Sequence, residues 1–123
     1  MEPLSVAVVW NKEDQESVGE YIQYITKMLT RDIDRPFSRT INLPIFYYSN
    51  SRENEVPVLP ELKSEKVLIY IFVGINSVSN NKWTNYVESL YDIENAKIVP
   101  IALDKFAYNI GTKVQQYNFI REY

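Results

Sequence analysis

The chain has 123 residues, a formal net charge of −3, and neither cysteine nor histidine. That length suits one domain, and the two missing residue types exclude a disulfide framework, a thiolate metal centre and histidine acid–base chemistry. With 13 basic and 16 acidic residues spread along it, the chain carries no basic footprint for nucleic acid and no polybasic arm for a membrane.

Residues 4–10, LSVAVVW, are an unbroken apolar run, the pattern of a strand buried on both faces. Residues 11–16 are polar and acidic. Ser17 and Glu20 have capping-box spacing, with Asp14 as the competing N-cap. Val18, Tyr21, Ile22, Ile25, Met28 and Leu29 then mark a helical stripe ending near Arg31. Strand, short loop and helix make the first half of a βαβ unit. Residues 32–40 form a loop around Pro36, whose flanking Arg35 and Arg39 read as surface residues rather than a phosphate grip. Residues 41–48, INLPIFYY, predict a second strand. Pro44 puts it at a sheet edge or makes it begin there. A polar surface loop covers 49–56, and a short helix is expected between Pro60 and Lys66.

Residues 67–73 form the second continuous apolar run and predict the central strand. The run breaks at Gly74 and passes through a polar loop, 76–81. From Trp83 the period becomes helical, through Val87, Leu90 and Tyr91. Residues 96–103, AKIVPIAL, predict a fourth strand disrupted by Pro100. Residues 104–115 read as a short helix or irregular segment, and 117–120 as a fifth strand or the start of a linker. The ending at Tyr123, with no closing helix or polar tail, reads as a single domain cut from a longer multidomain protein. No apolar run approaches the roughly 18 residues of a membrane span. No signal-peptide pattern is visible, so the expected location is the cytoplasm.

Alternating strands and helices imply an α/β fold: an open parallel sheet with helices on both faces. Right-handed crossovers and the edge-like second strand give the order 2-1-3-4, with a fifth strand beyond if it forms. The switch point then lies between strands 1 and 3, where Trp10 and Asn11 would meet residues 74–79. No GxGxxG or GxxxxGK loop is present, and no metal triad is visible. The acidic pairs Glu13/Asp14 and Glu53/Glu55 read as solvated charge. A phospho-acceptor receiver would want an aspartate ending strand 3, where this chain has Gly74 and Asn76. The ten tyrosines read chiefly as half-buried packing. The sharper reading has Trp10, Trp83 and Tyr86 offering aromatic faces to a planar ring. Glu88, beside the buried helical stripe, reads from sequence alone as a boundary residue.

The run IYIFVGINSVSNNKWTNYVESL resembles the third strand, following loop and helix of Toll/interleukin-1 receptor (TIR) domains. AKIVPIALDKFAYNI and INLPIFYYSNSR resemble a bacterial subgroup of that family used in anti-phage defence. The resemblance implies a flavodoxin-like fold and one of two functions. Many TIR domains cleave NAD⁺ at the nicotinamide–ribose bond when assembled, with no cofactor or metal; others only self-associate as signalling adaptors. It implies NAD⁺ and other TIR domains as partners, and neither nucleic acid nor membrane. It implies a catalytic glutamate on the helix after strand 3, commonly four residues after the Trp. Here that position is Val87, and the glutamate comes one later, at Glu88, about 100° further round the helix. Trp10, Asn11, Ser77, Trp83 and Tyr86 are the implied substrate-binding residues. The implied interaction loop holds Tyr48, Ser49, Asn50, Ser51 and Arg52.

Overall fold

The two continuous apolar runs become the two innermost of four long strands, paired to each other along their length. The computed structural model describes residues 3–30, 44–60, 62–110 and 119–121. It contains β1 (Leu4–Trp10), α1 (Gln15–Thr30), β2 (Ile45–Ser49), β3 (Lys66–Val73), a short α2 (Ile75–Val78), α3 (Asn81–Leu90), β4 (Ala96–Ala102) and β5 (Ile120–Arg121). The sheet order is β2-β1-β3-β4-β5, and every neighbouring pair is parallel. The flavodoxin-like α/β arrangement expected from the alternation of patterns is therefore the fold, and a fifth strand forms at Ile120–Arg121.

Successive residues of a strand point to opposite faces, so a strand covered on both sides must be apolar at every position. On one face Val6, Val8, Trp10 and Phe72 pack with Val18, Tyr21 and Ile22 of α1. On the other, Ala7, Val9, Ile69, Ile71 and Val73 pack with Trp83, Tyr86, Val87 and Leu90 of α3. Val67, Ile69, Ile71 and Phe72 are closed to solvent. Tyr70 is only half-buried, more open than its place in the run suggests. Ile71→Ala removes a fully buried branch between two covering layers. It should cost about 2–5 kcal/mol, read as a lower urea midpoint with unchanged slope.

Pro44 lies just before β2, and its carbonyl accepts from the Val6 N–H at 2.9 Å. Only β1 pairs with β2 among the described residues, and Phe46 and Tyr47 are exposed on it, as befits an edge. Two expectations are corrected. Residues 62–65 form no helix. The Ser64 side chain bonds the Ser5 hydroxyl and its carbonyl accepts from Asn95 Nδ2 at 2.7 Å, which pins the approach to β3. The supposed polar loop 76–81 is mostly helical: α2 starts one residue after Gly74, and Asn80 caps α3. Arg35 and Arg39, read as surface residues, lie outside the described residues.

Gly74 is a matter of space rather than backbone strain, its φ being −148°. A Cβ there would lie 2.9 Å from Asp104 Oδ2 and 3.4 Å from Leu103 Cβ. That carboxylate already accepts from the Ile75 N–H at 3.0 Å and the Phe106 N–H at 2.9 Å. Gly74→Ala should therefore push Asp104 off one of its donors and lower stability by about 1–3 kcal/mol, measurable by thermal unfolding.

Candidate functional site at the carboxyl edge of the sheet

α1 and α3 lie on opposite faces, so the chain leaves β1 and β3 in opposite directions. Between these departures the rim of the sheet is left uncovered, which is where ligands sit in open α/β folds. Asparagines line this gap. Asn11 ends β1 and caps a turn of 3₁₀ helix (Lys12–Asp14), its Oδ1 accepting from the Glu13 N–H at 3.0 Å. Its Nδ2 reaches across to the Asn76 carbonyl at 3.5 Å. Asn76 Nδ2 donates back to Asp14 Oδ1 at 2.8 Å. Asn50, just past β2, accepts from the Lys12 N–H at 2.8 Å and donates to the Arg52 carbonyl at 2.7 Å. Buried polar groups are stable only when so paired. Asn50→Ala should cost about 1–3 kcal/mol by stranding the Lys12 N–H, seen as a lower unfolding midpoint.

In front of this lattice lies a cleft of about 390 Å³. Glu13 lines it from the β1 end, Asn54 from the loop after β2, Asn76 and Ser79 from α2 and its following turn, and residues 80–82 from the start of α3. All of these side chains are polar. Asn80 caps α3, accepting from the Lys82 N–H at 2.9 Å, while its Nδ2 reaches Asn54 Oδ1 at 3.5 Å. Asn54 has φ 62°, the left-handed conformation that asparagine tolerates. The wall therefore has amide donors and acceptors, one carboxylate and one ammonium, suited to a polar, many-hydroxyl ligand.

Asp14 lies behind that wall, bonded to Asn76 through Oδ1, while its buried Oδ2 has no partner. Burial pushes its carboxyl above the usual aspartate range. The Asn76 bond pulls it back, and the Asp104 and Glu13 charges add to the rise. Among the described residues no group of three or more acidic side chains is placed to hold a metal ion.

The residues singled out by sequence divide. Asn11 stands at the joint, meeting Asn76 as expected of the switch point. Trp10 is turned toward the α1 face; its Nε1 donates to Gln15 Oε1 at 2.7 Å and its ring meets Tyr47 edge-on. Ser77 is fully buried, its hydroxyl without a partner. Trp83 and Tyr86 are not an open aromatic wall. Trp83 is 0% exposed and Tyr86 5%, their rings 5.4 Å apart in a T, with the Tyr86 hydroxyl donating to the Val58 carbonyl at 3.0 Å. Val56 and Leu59 pack on the same cluster. Burial, then neighbouring Tyr48, pushes the Tyr86 hydroxyl's pKa upward.

Glu88 is half-buried in the last turn of α3, about 10 Å along the axis from Asn81. It does not line the cleft. By Asn95, whose carbonyl accepts from the Val67 N–H at 2.8 Å, the chain has reached the opposite edge of the sheet. Glu88 shares a helix face with Asn81 and Thr84, at spacings of three and four. In the interaction loop, Ser51 and Arg52 are exposed, Tyr48 and Ser49 are half-buried, and Asn50 belongs to the buried lattice. Sequence reasoning placed Asn50 only in an interaction loop, gave Asn54 and Asn80 no part in a site, and read Asp14 as a competing N-cap or solvated charge. The available signal was an asparagine just after each of β1, β2 and, within three residues, β3. No helix of the described residues is long and apolar enough to cross a membrane. Compared with family models, curated proteins and solved structures, the chain matches none.

Proposed function

We propose that this is a TIR-like domain that cleaves NAD⁺ at the nicotinamide–ribose bond when assembled, taking the dinucleotide in the carboxyl-edge cleft. The observation carrying this reading is the continuity of polar surface. The cleft ends at residues 80–82, and the Asn81–Thr84–Glu88 face leads on from it along α3. An extended ligand with two riboses and a diphosphate can follow such a path. Lys82 supplies a cation at its start, and Glu88 a carboxylate at its end.

The chemistry needs little more. The nicotinamide leaves neutral, taking the electron pair of its bond to ribose C1. The oxocarbenium-like sugar is stabilised by a nearby carboxylate. Water adds at C1 and one proton is released. No histidine or cysteine is required, in keeping with a chain that has neither. Concentrated protein incubated with NAD⁺ should release free nicotinamide, followed by chromatography. Absence of release even from assembled protein would overturn the reading.

A second reading, a non-catalytic self-association module, is favoured by the burial of Trp83 and Tyr86 and by the exposure of residues 51–55. The isolated domain should be mostly monomeric at micromolar concentration, because one short loop makes a small interface. Sedimentation should show any weak association reduced by Arg52→Glu. A tight dimer that survives this reversal would remove the loop from the interface.

A further inference from the structure

We propose that Asp14 is a proton-sensitive joint: its carboxyl is buried behind the cleft with Oδ2 unpartnered and Oδ1 held by Asn76, so gain or loss of its charge acts directly on the Asn76 contact at the cleft wall. This stands apart from the NAD⁺ reading, since it concerns the chain's own architecture. Asp14 is 9% exposed, and its Oδ2 is buried with no donor within reach. A charged carboxylate stranded in that way is far costlier than a neutral one, because the lost hydration has nothing to replace it. Its one side-chain bond, from Asn76 Nδ2, satisfies Oδ1 in either protonation state.

The surrounding charges point the same way. Glu13 faces Asp14 from the same 3₁₀ turn, and Asp104 from the loop after β4. Both are acidic side chains; the basic residue of the same turn is Lys12, and Lys82 lines the cleft in front. Asp104 is itself held by the Ile75 and Phe106 N–H groups, so it cannot swing away without uncapping two turns. The Asp14–Asn76 bond joins the turn after β1 to the helix after β3, across 62 residues of chain. Ionisation therefore adds a third negative charge at the seam between the two central strands.

The stability consequence has a definite sign. With its folded-state pKa above its unfolded value, Asp14 binds more proton when folded than when unfolded between those two pH values. Its favourable contribution is complete below the unfolded value. It is lost as pH rises through the folded one, and above that the penalty is constant. Asp14→Asn keeps an acceptor for Asn76 and cannot ionise. Its stability relative to the parent should rise across that window and then level off.

Carbon-detected NMR of the Asp14 carboxyl in the unmodified domain gives the direct test. We expect a midpoint above the ordinary aspartate value of about 3.9, the Asn76 side-chain amide shifting with the same midpoint, and Glu13→Gln moving that midpoint down. A midpoint at or below the ordinary value overturns the proposal. So does a stability difference between parent and Asp14→Asn that stays constant with pH.

Discussion

Trp83→Ala should lower the stability of this domain by about 3–5 kcal/mol, the range for removing a buried aromatic. Among the described residues Trp83 is the largest side chain fully closed to solvent. It belongs to the cluster in which α3 packs on the sheet face carrying Ala7, Val9 and Ile71, with Val56 and Leu59 against the same cluster. Its partner Tyr86 would lose an edge-on ring contact as well as packing. Domains of this size are held together by about 5–15 kcal/mol, so the variant should be near the limit of folding. Trp83→Phe should recover much of that loss, because it keeps an apolar ring and removes the indole N–H that is buried without a partner. Urea unfolding measures both. A Trp83→Ala midpoint within experimental error of the parent would mean that the ring is not packed in solution, and an aromatic wall for a ligand would return.

If the domain turns over NAD⁺, Glu88→Gln should reduce the rate on the order of 10²-fold or more, as loss of an electrostatic stabiliser does. The shape is kept and only the charge is removed. Because Glu88 is half-exposed and outside the packed clusters, unfolding should barely change, which separates chemistry from folding. Glu13→Gln is the companion experiment, since Glu13 is the carboxylate that lines the cleft itself. Full turnover in Glu88→Gln with loss in Glu13→Gln would move the chemistry from the α3 face to the β1 end. Loss in Glu88→Gln alone would support a substrate laid along Asn81, Thr84 and Glu88.

The sequence by itself determined the sheet. Runs 4–10 and 67–73 are almost wholly apolar because both faces of those strands are covered. Pro44 gave β2 either an edge place or a start there, and the strand begins one residue after it, at the edge of the sheet. The helical stripes through Val18 and through Trp83, Val87 and Leu90 were visible because a buried helix face repeats with the helix turn. What only the tertiary structure decided is the site. A tryptophan in the first turn of a helix reads equally as a stacking platform or as core; the packing of α3 on the sheet decides for core, and the Tyr86 hydroxyl beside it is taken by the Val58 carbonyl, from a distant part of the chain. Asp14 read as solvated charge because an acidic pair in a loop usually is. Its side-chain partner, Asn76, lies 62 residues later. Local pattern reports which face of an element is buried, through the period of its apolar residues. It carries no period for polar side chains that meet across two strand ends, because their partners are chosen by the folding of the sheet.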